Sequence, residues 1–97
     1  MYKKIKPEEL SKIKDPFIID VREPYEFELG SIPGAVNMPV GILLDNCERY
    51  LKNNKQYYIY CETSLRSSRA CEFLADLGYD VCLLEGGYKG WLTAQKR

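Results

Sequence analysis

The sequence contains no histidine, and that absence narrows its chemistry at once. Without an imidazole there is no Ser-His or Cys-His pair, so any nucleophile must be activated by other means. A structural zinc site loses its usual nitrogen ligand, and no spacing between Cys47, Cys61, Cys71 and Cys82 is C-x2-C. No metal or organic cofactor is implied. Net charge is missing too: 14 basic and 14 acidic residues cancel, so no global field draws nucleic acid or an anionic membrane. Without a basic patch, the eight tyrosines read as packing rather than base stacking. No apolar run approaches the roughly 18 residues of a membrane span, and no apolar stretch follows the basic start M-Y-K-K-I-K-P-E-E-L. The expectation is a cytoplasmic protein with free thiols, since nothing directs the chain to an oxidising compartment. Repeats, low-complexity tracts and linkers are absent as well.

What is there suits one domain. A chain of 97 residues, 45% hydrophobic and 29% charged, can bury a single core over residues 1–97 and has no room for a second. Short apolar runs read as strands at residues 17–21 (F-I-I-D-V), 57–60 (Y-Y-I-Y) and 81–84 (V-C-L-L). A shorter strand at 36–38 follows the turn I-P-G-A. Helical stretches lie between them at residues 7–13, at 24–29 before Gly30, and at 41–51. The strongest is 67–77, where Ala70, Phe73, Leu74 and Leu77 fall at i, i+3, i+4 and i+7 before a Gly78 C-cap. Gly86-Gly87 turns into a last helix that Trp91 packs down. Alternating strands and helices predict an α/β fold with a mostly parallel sheet flanked by helices on both faces. Such sheets bind ligands at the carboxyl ends of their strands.

The stretch Y-C-E-T-S-L-R-S, residues 60–67, falls at such an end. If Ser67 opens or caps the helix, Cys61 to Arg66 form a strand-to-helix loop, and that is an anion site. A first helical turn presents unpaired N–H groups and the positive end of its dipole, and a curled loop aims further amides at the same point. Thiols so placed commonly titrate at about 3.5 to 7.5 rather than ~8.5, so Cys61 is expected to be thiolate at neutral pH. The dipole supplies only about 0.3 to 2 kcal/mol, which leaves the rest to convergent amides and to Arg66. Glu62 opposes them unless its carboxylate turns away. The alternative is an inert cysteine buried at a strand end. Arg66 could bind a donor's anionic oxygens or tie the loop to a carboxylate. Asp20 and Arg22 end the first long strand and could serve the site or pair to support the loop. Cys71 and Cys82 lie in apolar patterns and read as core, whereas Cys47, in a polar stretch, could be a resolving thiol.

Three segments, F-I-I-D-V-R-E-P-Y-E-F-E-L-G-S-I-P-G-A-V-N-M-P, Y-Y-I-Y-C-E-T-S-L-R-S-S and L-L-E-G-G-Y-K-G-W, resemble in order and spacing the single-domain rhodanese-like proteins. The resemblance covers nearly the whole chain. It implies a rhodanese-like fold, a central, mostly parallel five-stranded sheet flanked by helices. It also implies a sulfurtransferase, or persulfide carrier, in which Cys61 alternates between thiolate and persulfide. The donor would be a small sulfane-sulfur compound such as thiosulfate, or a protein persulfide, and the acceptor a thiophile. Backbone N–H groups of Glu62, Thr63, Ser64, Leu65, Arg66 and Ser67 would hold the terminal sulfur. Four residues between Cys61 and Arg66 make a smaller ring than the C-x5-R of the phosphatase relatives, although Glu62 is similar to theirs. Members active on thiosulfate often resemble C-R-x-G-x-R-S. Here Glu62 replaces the cation and Ser64 stands where glycine permits positive φ, so thiosulfate is expected to be a poor donor. The rival reading is a non-catalytic binding or regulatory module of the same fold.

Overall fold

The structure, a computed structural model, describes residues 1–96. Five strands form one sheet: β1 (Lys3–Ile5), β2 (Ile18–Asp20), β3 (Val36–Asn37), β4 (Gln56–Tyr60) and β5 (Asp80–Leu84). Their order across the sheet is β1-β5-β4-β2-β3, and all four pairings are parallel. The sheet is therefore wholly parallel, which a chain of repeated strand-helix crossovers favours. Strand β1 was not foreseen. Its K-K-I sequence offers one half-buried apolar residue, and it lies at an edge, paired only with β5 from Lys3 opposite Cys82 to Ile5 opposite Leu84. A short, lysine-bearing strand is a common way to close such an edge.

Side chains alternate across the sheet and build two cores. Ile19, Val21, Tyr57, Ile59, Cys61, Val81 and Leu83 face one side, where Leu43, Cys71 and Leu74 cover them. Ile18, Tyr58, Tyr60, Cys82 and Leu84 face the other, with Leu10 and Ile32 and the half-buried Tyr88 and Trp91. The first layer comes from α3 (Val40–Asp45) and α5 (Leu65–Asp76). The second comes from α1 (Pro7–Leu10) and α6 (Gly87–Gln95). Trp91 thus packs the last helix onto the sheet.

The remaining helices are α2 (Pro24–Leu29), which ends before Gly30 as the pattern predicts, and α4 (Cys47–Tyr50). The helix expected over 41–51 is in fact α3 and α4, divided at Asn46, whose φ of −133° is not helical. Helix α5 needs a correction of greater consequence. It begins at Leu65, two residues before the expected start, and Ser64 is its N-cap residue. Ser67 therefore lies inside the first turn. Its buried face is Ser67, Ala70, Cys71 and Leu74, itself an i, i+3, i+4, i+7 stripe, while Phe73 and Leu77 are 45% and 54% exposed. Ala70 and Leu74 of the expected stripe are buried as the pattern predicts, whereas Ser67 and Cys71 take the places expected for Phe73 and Leu77. Among the described residues, no helix is long and apolar enough to cross a membrane.

Candidate active site

Cys61 directly follows β4, a central strand, at the carboxyl end of the sheet. Two backbone bonds from the start of α6 hold it there. Tyr88 N–H donates to the Cys61 carbonyl at 2.8 Å and Lys89 N–H to the Glu62 carbonyl at 3.2 Å. These are N–H groups that a helix start leaves without intrahelical partners. The approach is close enough to require glycine. Gly87 sits at φ +60°, and a Cβ there would lie 2.5 Å from the Cys61 carbonyl oxygen and 2.6 Å from that of Glu62. The G-G-Y-K segment is thus the backrest of the cysteine loop.

Three polar groups meet the Cys61 sulfur. Ser64 N–H donates to Sγ at 3.2 Å and Ser67 N–H at 3.3 Å, and Ser67 Oγ lies at 3.2 Å in a hydrogen bond that either atom can donate. The ring expected from six consecutive amides therefore narrows to two, with one hydroxyl added. The early start of α5 explains it: Leu65, Arg66 and Ser67 already follow the helix, and Ser67 turns its N–H and its hydroxyl to the sulfur together. Ser64 makes this possible with φ +99°, a left-handed conformation uncommon outside glycine. Thr63 and Leu65 are exposed. Cys61 itself is 1% exposed and contacts the first core on its other side.

Both nearby guanidinium groups are occupied. Arg22, 3% exposed, donates from Nε to both Asp20 oxygens at 3.0 Å and from Nη2 to Asp20 Oδ2 at 2.7 Å. Nη2 also donates to the Gly30 carbonyl at 2.6 Å, and Nη1 to Glu62 Oε1 at 3.1 Å. The guanidinium lies over the Tyr88 ring, 4.6 Å from its centroid. Burial works against its charge, but the hydrogen bonds and charge of Asp20 outweigh it and raise the Arg22 pKa. Asp20 and Arg22 are thus joined structurally, and the pair pins Glu62, whose charge is offset by Arg22 rather than released to solvent. Arg66 takes the other course open to it: Nη1 and Nη2 form a two-point pair with Glu26 at 2.7 and 3.0 Å. That hydrogen bonding, stronger than the opposing burial, holds the Glu26 carboxyl down at about 2. Beside the loop, Arg22, Glu26, Glu62, Tyr25, Leu29 and Tyr88 help line a pocket of about 340 Å³.

The other thiols are separate. Cys71 is fully buried one turn beyond Ser67, and burial pushes its thiol up to about 12. Cys82 is buried in the opposite core, with its pKa raised by burial. Cys47 is half-buried rather than exposed and, like Tyr79, packs against the first core, the same cluster that contains Cys61.

Gly87, Tyr88 and Glu26 were missed as site residues. The G-G-Y-K-G-W motif was a legible signal for the first two, whereas a partner 40 residues from Arg66 leaves no local mark. The chain matches the rhodanese-like domain family over residues 6–94. It is 43% identical over 75 residues to YqhL of Bacillus subtilis (strain 168), covering 76% of this chain and 59% of that protein. A sulfurtransferase of Allochromatium vinosum is 32% identical over 83 residues, 84% of this chain and 77% of that one. The crystal structure of a rhodanese-related protein from Thermoplasma volcanium superposes with a TM-score of 0.86 at 35% identity, covering 96% and 93% of the two chains. With a cysteine loop between a central parallel strand and a helix start, and these likenesses across almost its full length, the chain belongs to the rhodanese-like domain family.

Proposed function

We propose that the protein is a sulfurtransferase or persulfide carrier with Cys61 as its nucleophile. The observation that carries this reading is the convergence of two N–H groups and one hydroxyl on a single sulfur. Such donors lower the energy of negative charge on sulfur without a proton acceptor, which suits a chain without histidine. The Cys61 thiolate attacks the outer sulfur of a sulfane donor. The donor's S–S bond breaks, and its leaving group departs with the electron pair. The negative charge then resides on the outer sulfur of the Cys61 persulfide until a thiophilic acceptor attacks it and the Cys61 thiolate is restored. Arg22, paired with Asp20, supports the loop through Glu62. The sulfurtransferase named among the relatives supports the same class of reaction.

The second reading, a non-catalytic module, is favoured by the 1% exposure of Cys61. Intact mass after incubation with a sulfane donor separates the two. A gain of one sulfur atom, lost in Cys61→Ser, supports transfer. An unchanged mass, with Cys61 alkylated by iodoacetamide no faster than a free thiol, supports the module.

A further inference from the structure

We propose that Glu26 sets the donor specificity of this site: it holds the Arg66 guanidinium in a two-point ion pair and withholds from a dianionic donor the cation it would need. The inference rests on the sulfur-transfer reading and names the substrate class, donors that carry one negative charge rather than two and an apolar group in place of a sulfonate, such as an alkyl persulfide.

Arg66 immediately precedes Ser67, whose N–H and hydroxyl touch the Cys61 sulfur. A sulfonate group attached to a sulfur at Cys61 would look first to this guanidinium. The other nearby candidate is already committed, because Arg22 is 3% exposed and directs Nε, Nη1 and Nη2 to Asp20, Glu62 and Gly30. Glu26 and Glu62 both line the pocket beside the loop, where each neutralises one arginine. The rest of the lining includes Tyr25, Leu29 and Leu92, all of them substantially exposed apolar residues. A dianion entering there meets two carboxylates and no uncommitted guanidinium, whereas an alkyl group meets apolar surface.

Glu26→Gln is a clean probe. Glu26 Oε1 also accepts the Glu23 N–H at 2.9 Å at the start of α2, and the glutamine carbonyl can retain that bond while the charge is gone. Persulfide formation is followed with thiosulfate and with an alkyl persulfide in the wild type, in E26Q and in E26Q/R66Q. Binding of sulfate is measured separately through the Ser67 amide resonance. E26Q is expected to raise kcat/KM for thiosulfate about tenfold relative to the alkyl persulfide, mainly through KM, and to tighten sulfate binding by a similar factor. Adding R66Q is expected to erase both gains. Equal changes for the two donors, or sulfate binding that E26Q leaves unchanged, would overturn the inference even if Cys61 loads sulfur normally. If sulfate binding tightens but no donor loads Cys61, the control of anions by Glu26 stands and sulfur transfer fails.

Discussion

The Tyr88 N–H donates to the Cys61 carbonyl at 2.8 Å, so the last helix holds the cysteine that the fourth strand delivers. The contact joins residues far apart in sequence and depends on Gly87, where any Cβ would overlap the Cys61 and Glu62 carbonyls. Gly87→Ala is expected to destabilise the protein by about 2–4 kcal/mol, combining a left-handed backbone with the displaced loop. Urea denaturation checks this. A loss below about 1 kcal/mol would mean that the loop rests elsewhere.

Ser64→Gly is expected to act the other way. Ser64 occupies φ +99°, a conformation that costs a residue with a Cβ about 1–2 kcal/mol, part of which glycine returns through its greater unfolded-state entropy. A net gain of about 0.5–1 kcal/mol in denaturation midpoints is predicted, with the Ser64 N–H still donating to the sulfur.

The Glu26–Arg66 pair makes stability acid-sensitive. Glu26 has a folded pKa of about 2, below its ordinary 4.5, so its contribution is complete above about 4.5 and is lost as pH falls toward 2. Because Arg66 is 36% exposed, the loss is on the order of 1 kcal/mol. Acid titration of thermal stability should show E26Q lacking that portion of the decline.

Cys71 sets an alkaline limit by the opposite logic. Burial raises its pKa from 9.0 to about 12, which favours the neutral thiol in the folded state. Its contribution is whole below about 9 and declines as pH rises toward 12. Cys71→Ala is expected to lower stability at neutral pH through the lost packing and to flatten the alkaline decline between those values, as read by denaturation at a series of pH values.

Much of this was legible in the sequence because buried parallel strands are apolar runs and F-I-I-D-V, Y-Y-I-Y and V-C-L-L are unmistakable ones. The N-terminal K-K-I was not, since an edge strand borrows its order from a neighbour rather than from its own side chains. The cysteine loop could be located but not shaped. Helix α5 begins at Leu65 because Ser64 accepts a left-handed conformation, and no propensity argument favours serine there over glycine. For Arg66, both a donor contact and a carboxylate partner were open, and only the tertiary approach of α2 decides between them. Glu62 illustrates the same limit: adjacency in sequence suggested repulsion of the sulfur, while Arg22, 40 residues away, supplies the compensating charge.

The most direct measurement is peptide mapping of the sulfur added in a single turnover with an alkyl persulfide, read separately at Cys47, Cys61, Cys71 and Cys82. One extra sulfur confined to the Cys61 peptide, and strongly reduced in Ser67→Ala, is the predicted result. Sulfur spread over Cys47 and the other thiols, or a Cys61 peptide that stays unmodified, would contradict it.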